Sequence, residues 1–456
     1  MYQKTYHIHF VGIGGIGMSG IAELLLNLGY QVSGSDLKTT DITRRLAALG
    51  GIICEGHAAE NIRDADVVVI SSAVGEDNAE VAAARNQSIP VIPRAEMLAE
   101  LMRLKYSVAV AGAHGKTTTT SIVGSVLAAG DLDPTIVIGG VLRGVDTNAV
   151  LGQGNFIVAE ADESDGSFLK MSPTIAVVTN IDREHLDFYD DLEAIVQTFA
   201  RFIDRIPFYG LAVLCLDNEH VQDLIPHIKK RYTTYGVSSQ ADYQAREIHC
   251  AGLTSRYTVY HRGDHLGDIR LSLPGIHNVY NSLASVAVGI ELNIPFDTIK
   301  TALETLEGVR RRLEIKGSAK GITVIDDYAH HPTEIKTTLQ SVRTSWPDQR
   351  IVGVFQPHRY TRTQALFDEF TRAFYETDQL ILVPIYSAGE AIIEDVSHTL
   401  LCEGIQAHGH KNVTCTDGFE EALALLARDV REGDIVITMG AGDILKLGET
   451  LLEQLT

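Results

Sequence analysis

Short apolar runs rich in β-branched residues alternate with stretches of helical periodicity along almost the whole chain. This alternation is typical of α/β units built on parallel sheets. In the first block, the pattern predicts a strand at residues 6–13 and a helix from Ile16 to Leu28, which Gly29 ends. Two further strands and a closing helix are predicted from the stretches QVSGSD, DVVVISS and RAEMLAELMR.

The second block begins with the apolar run SVAVAG and continues with strands predicted at FIVAEAD, TIAVVTNI and LAVLCLDN. Residues 232–273 differ, because polar and apolar residues alternate there, which predicts a small antiparallel patch. A long helix, HNVYNSLASVAVGIEL, is predicted to close the block.

The third block starts at residue 322 and again joins apolar runs to helices, with strands predicted at ITVIDD, RIVGVFQPH, QLILVPIY and DIVITMGAGD. The segment before it, residues 308–322, is rich in glycine and charge and is predicted to be a hinge. The simplest account is an α/β fold of three domains, with bounds at 1–106, 107–312 and 313–456.

Composition narrows the class of protein. The 456 residues carry a net charge of -21, which gives no support to nucleic-acid binding. No secretion signal opens the chain, and no apolar run reaches the roughly 18 residues of a membrane span, so a soluble cytoplasmic protein with no membrane partner is expected. The five cysteines form no CxxC pair and indicate reduced thiols; they are Cys54, Cys215, Cys250, Cys402 and Cys415.

A first glycine-rich turn follows the first predicted strand. Gly12, Gly14 and Gly17 form G-x-G-x-x-G before a helix, and Asp36 lies 19 residues beyond Gly17, at the end of the next strand. This arrangement is typical of a Rossmann-like domain that places a pyrophosphate at a helix N-terminus and a sugar hydroxyl on the acid. NAD and a UDP-sugar both satisfy it, so the motif alone leaves the ligand open.

A second turn, in the central block, indicates a P-loop. Gly112, Gly115, Lys116 and Thr117 make G-x-x-G-K-T between a strand and a helix, although Val110 replaces the first glycine of the full motif. Such a turn wraps phosphates with its backbone N–H groups, while the lysine meets phosphate oxygens and the threonine hydroxyl reaches Mg²⁺. The turn predicts ATP as a ligand.

Acidic residues follow two strands of the same block. One cluster lies at the end of FIVAEAD and just beyond it, and the other follows TIAVVTNI. Carboxylate oxygens are the ligands that Mg²⁺ prefers. Because functional groups collect at the carboxyl ends of parallel strands, the two clusters predict a metal beside the P-loop. Their members are Glu160, Asp162, Glu163, Asp165, Asp182, His185 and Asp187.

Taken together, the motifs resemble those of the Mur ligases, the ATP-dependent ligases of peptidoglycan precursor synthesis. The likeness covers nearly the whole chain and rests on HFVGIGGIGMSGIAE, PRAEMLAELMR, GAHGKTTTTS, EADESDGSF, NIDREHLD, GIHNVYNSLA, DDYAHHPTEI and FQPHRYTRT. It implies a Rossmann-like UDP-sugar domain, a central P-loop ATPase with a mainly parallel sheet, and a Rossmann-like C-terminal domain that closes on the site and binds the amino acid.

The resemblance also implies roles for individual residues. ATP would be bound by Gly112, Ala113, His114, Gly115, Lys116, Thr117, Thr118, Asn281, Arg311 and Asp326, or by Asp327 in place of Asp326. The UDP-sugar and the amino acid would be bound by Gly14, Gly15, Gly17, Asp36, His57, Ser71, Ser164, His330, Arg359 and Arg362. Mg²⁺ would be held by Thr117, Glu160 and His185, and the catalytic set is expected to be Lys116, Glu160, His185, His331 and Arg359, with His330 and His331 both candidate bases.

One departure from the family pattern separates its branches. Several Mur ligases carry a carbamylated lysine in the helix after NIDREHLD, whereas residues 191–210 contain no lysine. This favours the branch that adds L-alanine to UDP-N-acetylmuramate through an acyl phosphate, with a monomer or homodimer expected. Three alternatives stay open: a recycling ligase that attaches the tripeptide L-Ala-D-Glu-diaminopimelate to the same sugar, an NAD-dependent oxidoreductase, and a nucleotide-binding regulator without catalysis.

Overall fold

The computed structural model describes residues 6–71, 73–139, 149–185, 188–252, 254–306 and 308–456. Asp187, predicted in the second acidic cluster, lies outside the described residues. The chain divides into two compact units. The first comprises Met1–Glu247, Tyr257–Ile269 and Tyr280–Gly308, and the second comprises Ile248–Arg256, Arg270–Val279 and Val309–Thr456. The three domain bounds drawn from the sequence stay a prediction.

The N-terminal residues form a five-stranded sheet, all parallel, in the order β3-β2-β1-β4-β5 among the described residues. Its strands are β1 (His7–Val11), β2 (Gln31–Asp36), β3 (Ile52–Glu55), β4 (Val67–Ile70) and β5 (Val91–Pro93). Its helices are α1 (Ile16–Asn27), α2 (Asp41–Ala48), α3 (Ala79–Asn86) and α4 (Arg94–Met102). The strand order reverses between β1 and β4, so the first glycine turn, after β1, lies at the switch point where open α/β sheets bind ligands.

The central sheet has ten strands in the described part of the chain, ordered β15-β14-β13-β12-β11-β10-β6-β9-β7-β8. They are β6 (Tyr106–Ala111), β7 (Thr135–Val137), β8 (Ala149–Val150), β9 (Phe156–Glu160), β10 (Ile175–Val178), β11 (Leu211–Cys215), β12 (Tyr232–Gly236), β13 (Tyr243–Ala251), β14 (Thr254–His261) and β15 (Asp264–Leu271). The helices are α5 (Lys116–Ala129), α6 (Leu192–Asp204), α7 (Glu219–Leu224), α8 (Ile276–Glu291) and α9 (Phe296–Glu304). Strand β6 lies between β9 and β10 and is parallel to both. The P-loop and both acidic clusters therefore lie at the carboxyl ends of three adjacent strands.

The antiparallel patch predicted for residues 232–273 is only partly right. Strand β12 pairs parallel with β11 and with β13, so it continues the parallel sheet. Strands β14 and β15 are neighbours joined by residues 262–263 alone, and so short a connection joins only antiparallel strands. Polar and apolar residues can alternate in strands of either direction, which is why the sequence pattern did not separate parallel from antiparallel pairing.

The C-terminal sheet has six strands in the order β16-β17-β21-β18-β19-β20 across the described residues. They are β16 (Glu314–Ala319), β17 (Ile322–Asp327), β18 (Ile351–Phe355), β19 (Gln379–Leu382), β20 (Val413–Cys415) and β21 (Ile435–Met439). The helices are α10 (Pro332–Ser345), α11 (Tyr360–Ala365), α12 (Phe367–Phe370), α13 (His398–Ala407), α14 (Phe419–Asp429) and α15 (Leu445–Leu455). All pairs are parallel except β16 with β17, and a buried apolar cluster packs on each face.

The hinge predicted over residues 308–322 is wrong for most of that range. Strand β16 occupies Glu314–Ala319 and is hydrogen-bonded to β17, so these residues belong to the C-terminal sheet. A boundary between the two compact units does fall within the predicted range, at its first residues, between Gly308 and Val309. The predicted fold class of α/β domains on mainly parallel sheets is confirmed, and no helix in the described ranges is both long and apolar enough to span a membrane.

Candidate functional site

The first glycine turn joins β1 to α1 and is shaped by close approach of side chains. The backbone N–H of Gly14 donates to Oδ2 of Asp36 at 2.8 Å, and a Cβ added at Gly14 would lie 2.8 Å from that same oxygen. Gly15 is the residue before α1, so the N-terminus of that helix opens at the turn. The structure thus brings together Gly14 and Asp36 of the fingerprint, and Gly15, expected from the family resemblance, follows in the same turn.

Arg94 is a basic residue at this turn that the sequence analysis did not single out. It is the first residue of α4, and a Cβ at Gly17 would lie 2.6 Å from its Nη1 atom. Its Nη2 atom lies 3.6 Å from Oδ2 of Asp162, in the acidic turn after β9. The guanidinium therefore supplies positive charge between the glycine turn and that acidic turn. The only signal in the sequence was its place at the start of a helix within PRAEML.

His57 and Ser71, expected near a uridine, follow β3 and β4 at the same edge of the sheet. Nδ1 of His57 lies 2.9 Å from Oγ of Ser35, whose hydroxyl donates to Glu80. The carbonyl of Ser71 accepts from the N–H of Val74 in a turn at 3.1 Å. Glu80, on α3, was also missed by the sequence analysis, because a glutamate in a helical pattern is usually solvated.

The P-loop, residues 112–115, connects β6 to α5. Gly112 and Gly115 have φ angles of 136° and 81°, and a Cβ at Gly112 would lie 2.1 Å from Oγ1 of Thr179. Both positions therefore require glycine. Thr117 and Thr118 lie buried in the first turn of α5, whose N–H groups face the loop.

Lys116 is folded onto the P-loop and pairs with a buried carboxylate. Its Nζ atom donates to the carbonyls of Gly112 and Ala113 at 2.6 and 3.2 Å and to both oxygens of Glu163 at 2.8 and 3.0 Å. Burial alone would lower the pKa of Lys116, but the carboxylates of Glu163 and Asp162 raise it overall. The side chain is therefore held as a cation.

Asn281, expected at the nucleotide, comes from α8 and lies against the P-loop. Its Oδ1 atom accepts from the hydroxyl of Thr119 at 3.1 Å, and a Cβ at Gly115 would lie 2.8 Å from the same oxygen. His114, within the loop, donates from Nε2 to Asp182 at 2.8 Å. Residues 162 positions apart thus meet at one loop.

Of the expected metal ligands, His185 lies in a cluster with Glu163 and Glu184, and Glu160 is not a member of that cluster. Nε2 of His185 lies 3.7 Å from Glu163 and 3.7 Å from Glu184, and one ligand atom from each of these three residues falls within 4.8 Å of the others. Glu160 instead accepts from the N–H of Gly139 at 2.8 Å. Glu184 was missed, because a glutamate beside a histidine in a polar loop carries no distinctive spacing.

His185 occupies a strained backbone conformation in this cluster, with φ at 56°. Its carbonyl accepts from the N–H groups of Phe188 and Tyr189, both at 2.9 Å, and the Tyr189 hydroxyl donates to the Glu163 carbonyl at 2.5 Å. Left-handed conformations in residues other than glycine concentrate at functional sites. Ser164, expected at the substrate, donates its N–H to Asp162 at 3.1 Å.

In the second unit, Arg311 and Asp326 bind each other. Nε of Arg311 donates to Oδ2 of Asp326 at 2.9 Å, and its two terminal nitrogens donate to the carbonyls of Gly440 and Gly442 at 2.6 and 3.0 Å. Asp326 also accepts from the Thr438 hydroxyl at 2.7 Å. Both were expected at ATP, and that role stays a prediction. In this structure their hydrogen bonds connect the loop after β21 to strand β17.

The neighbouring histidines have different hydrogen-bonding roles. Nδ1 of His331 accepts from the N–H of Thr333 at 3.3 Å, so His331 caps α10. Nδ1 of His330 lies 2.9 Å from the carbonyl of Tyr328, which only accepts, so this nitrogen carries the proton. In a neutral ring, the Nε2 lone pair of His330 then remains as the basic position.

His358, Arg359 and Arg362 lie around the end of β18. Arg362 donates from Nη1 to Nδ1 of His358 at 3.3 Å, and the His358 ring stacks on Tyr386 with centroids 5.6 Å apart. Burial, with His330 and both arginines nearby, lowers the pKa of His358 to about 3, so the ring is neutral. Arg359 has a φ of 71° and its Nη1 lies 3.8 Å from Glu390.

Three family models match the chain in succession: the Mur ligase family catalytic domain over residues 7–106, the Mur ligase middle domain over 110–289, and the Mur ligase glutamate ligase domain over 311–442. A UDP-N-acetylmuramate--L-alanine ligase from Desulfatibacillum aliphaticivorans is 66% identical over 452 residues, which cover 99% of each protein.

Solved structures show the same relationship. The UDP-N-acetylmuramate-alanine ligase of Thermotoga maritima has a TM-score of 0.82 and 30% identity, covering 98% of each chain. The UDP-N-acetylmuramate:L-alanyl-gamma-D-glutamyl-meso-diaminopimelate ligase from Neisseria meningitides has a TM-score of 0.62 and 30% identity, covering 68% of this chain and 100% of its own. The matches extend through all three sheets and confirm the likeness read from the motifs. The chain belongs to the Mur ligase family.

Proposed function

We propose that this chain joins L-alanine to the lactyl carboxylate of UDP-N-acetylmuramate, using ATP, in the synthesis of peptidoglycan precursors. The observation that carries the proposal is the 66% identity, over 99% of both proteins, with a ligase of that name. The geometry supports it, because one chain holds a glycine turn at a sheet switch point and a P-loop beside an acidic cluster. An NAD-dependent oxidoreductase would leave the P-loop without a role.

The chemistry begins with a carboxylate, whose negative charge makes it a poor acceptor for an amine. Transfer of the γ-phosphoryl group of ATP to a carboxylate oxygen releases ADP and gives an acyl phosphate. The nitrogen of L-alanine then attacks the carbonyl carbon, inorganic phosphate leaves, and the amine gives up a proton. Phosphoryl transfer depends mainly on positioning and on neutralising charge. Lys116, held as a cation at the P-loop, supplies positive charge for that step.

The acidic cluster beside the P-loop fits a hard divalent cation. Glu163, Glu184 and His185 offer two carboxylates and an imidazole within 4.8 Å of one another, and Thr117 offers a hydroxyl at the start of α5. Oxygen donors with room for retained water suit Mg²⁺. When bound, the ion would neutralise charge on phosphoryl oxygens. Glu160, the ligand expected from the family likeness, stays a prediction.

His330 is the better of the two candidate bases. Its Nδ1 proton is directed at the Tyr328 carbonyl, so a neutral His330 ring carries its basic lone pair on Nε2, the position at which it would take a proton from the alanine ammonium or from the tetrahedral intermediate. His331 is committed to capping α10, a structural role. Arg359 and Arg362, with their planar guanidinium groups, suit recognition of the alanine carboxylate.

The recycling ligase remains the nearest alternative of the same chemistry. Phosphate release would be measured with ATP, Mg²⁺ and UDP-N-acetylmuramate, adding L-alanine to one sample and the L-Ala-D-Glu-diaminopimelate tripeptide to another. Release with alanine alone is the expected result. Release with the tripeptide alone would move the protein to the recycling branch, and release with neither would contradict the ligase assignment. A sample with NADH in place of ATP tests the oxidoreductase alternative and is expected to be inactive.

A further inference from the structure

A buried polar network lies beneath the expected uridine site and centres on Glu80. The Glu80 side chain is fully buried on α3 and receives hydrogen bonds at both of its oxygens. Oε1 accepts from Nδ2 of Asn61 at 2.6 Å and from the N–H of Ala58 at 3.3 Å, while Oε2 accepts from the hydroxyl of Ser35 at 2.6 Å. Donors on both oxygens stabilise the ionised carboxylate.

This network determines where the proton lies on the His57 ring. The Ser35 hydroxyl has one proton, which it donates to Glu80, so its oxygen can only accept from Nδ1 of His57 at 2.9 Å. The same Nδ1 atom also lies 3.5 Å from Oε2 of Glu80. An unprotonated Nδ1 would direct its lone pair at two oxygens that have no proton to give. Both contacts therefore require a proton on Nδ1.

We infer that Glu80 and Ser35 are positioning residues that hold His57 with its proton on Nδ1, so that Nε2 accepts a hydrogen bond from a donor group of the uridine moiety. The inference rests on the proposed UDP-sugar substrate. Uridine offers two kinds of donor, the N–H of the uracil ring and the hydroxyls of the ribose. A ring held in the other tautomer would present an N–H to the same group, and two donors would meet. The network thus contributes to nucleoside selection without contacting the nucleoside.

The chain offers a matched pair of serines for the test. Ser33 and Ser35 lie on the same strand, β2, and both are buried. The Ser33 hydroxyl contacts Nε2 of His7 and Nδ1 of His9, each at 2.8 Å, and is linked to Glu80 only through the His9 ring, whose Nε2 lies 3.5 Å from Oε2 of Glu80. Ser35→Ala therefore removes the nearer acceptor of the His57 proton, at 2.9 Å, and leaves Glu80 at 3.5 Å, whereas Ser33→Ala deletes a hydroxyl that is also buried and keeps both acceptors in place.

Two measurements on the full chain test the inference. The first is ¹⁵N NMR of histidine-labelled protein without ligand, with His57→Gln to assign the ring, since nitrogen shifts report the tautomer directly. We expect a protonated Nδ1 in the wild type and in Ser33→Ala, and a mixture of tautomers in Ser35→Ala. The second is calorimetric titration with UDP, in which Ser35→Ala is expected to weaken affinity about tenfold, as loss of one hydrogen bond does, while Ser33→Ala stays within about twofold.

Analogues of UDP separate the two donor sources. The diphosphate of 3-methyluridine lacks the uracil N–H, and 2′-deoxy-UDP lacks a ribose hydroxyl. The wild type is expected to bind one of these two analogues more weakly than UDP. Ser35→Ala is expected to bind that analogue and UDP equally well, because the hydrogen bond that the analogue cannot make is already lost in this variant. A proton on Nε2 in the wild type would overturn the inference. Equal affinities of Ser35→Ala and Ser33→Ala for UDP would overturn it while leaving the proposed function intact. Absence of UDP binding to the wild type would overturn both.

Discussion

The Nζ atom of Lys116 lies 2.8 Å from Oε1 of Glu163, and the carboxylate is almost wholly buried. The lysine belongs to the P-loop and the glutamate to the turn after β9, so the pair joins the loop to the acidic cluster. A nucleotide phosphate that binds Lys116 competes with this carboxylate. The pair therefore places a lysine cation next to the carboxylates and the imidazole that suit a metal.

Replacing Lys116 with alanine is expected to lower kcat by about a thousandfold, because the cation at the phosphates is lost. The affinity for the UDP-sugar should remain within about twofold of the wild-type value, since the glycine turn expected to bind it belongs to the N-terminal sheet and not to the central one. Steady-state phosphate release and UDP titration measure the two effects. Lys170→Ala is the control, as this half-exposed lysine in the same compact unit pairs only with Glu96 among the described residues. Near-normal turnover of Lys116→Ala would refute the P-loop assignment.

Glu184→Gln is expected to raise the Mg²⁺ concentration needed for half-maximal activity by about tenfold, because one carboxylate of the cluster is neutralised. Chelation of the metal should abolish phosphate release. The chain carries a matched control: Glu219 and His220 repeat the Glu–His dipeptide, with Nε2 of His220 3.6 Å from Glu219, at a site where the glutamate is exposed. If Glu219→Gln shifts the Mg²⁺ requirement as much as Glu184→Gln does, the cluster is not the metal site.

His330→Gln is expected to impair catalysis, whereas His331→Gln is expected to reduce stability. Loss of the His330 base should lower kcat for amide formation by about a hundredfold or more while acyl phosphate still forms, which trapping with hydroxylamine detects. Loss of the His331 cap should reduce the free energy of unfolding by about 1 kcal/mol and leave turnover of the folded protein close to that of the wild type. The reverse pattern would make His331 the base, the other of the two candidates that the sequence offered.

Because Glu80 is buried and hydrogen-bonded as a carboxylate, we expect the free energy of unfolding to decrease in acid. Although burial opposes ionisation, hydrogen bonds from His9, Ser35 and Asn61 lower the pKa of Glu80 from 4.5 to about 2. As the pH falls below 4.5, the unfolded chain takes up this proton before the folded chain does, so protons favour unfolding. The stability that ionised Glu80 contributes at neutral pH, about 3 kcal/mol at most, is lost progressively between pH 4.5 and pH 2.

Urea unfolding at pH 5.5 and at pH 3 measures this effect. Between these two pH values, the free energy of unfolding should fall by about 2 kcal/mol more in the wild type than in Glu80→Gln, in which the titrating group is absent. The comparison cancels the contributions of the other carboxyl groups. Equal losses in the two proteins would show that Glu80 is not held ionised by its neighbours.

The sequence by itself determined the elements and the two ligand turns. Strands such as β1, β6 and β17 are apolar runs bounded by glycine or acidic residues, and the glycines at 14, 17, 112 and 115 lie where backbone or side chains approach too closely for a Cβ. These signals are local, because the spacing of a few neighbouring residues decides whether a strand, a turn or a helix forms. The fold class and the family likeness followed from them.

The tertiary structure decided which side chains meet. Glu80 reaches Ser35 across 45 residues, Asn281 reaches Thr119 across 162, and Arg94 reaches Asp162 between two sheets. The sequence pattern of a buried, fully hydrogen-bonded glutamate is the same as that of a solvated one, so Glu80 and Glu184 carried no signal of their role. The protons on His57 and His330 were likewise fixed by partners on other elements or by a backbone carbonyl. Such choices depend on distances between atoms far apart in the chain, which only packing of the sheets and helices sets.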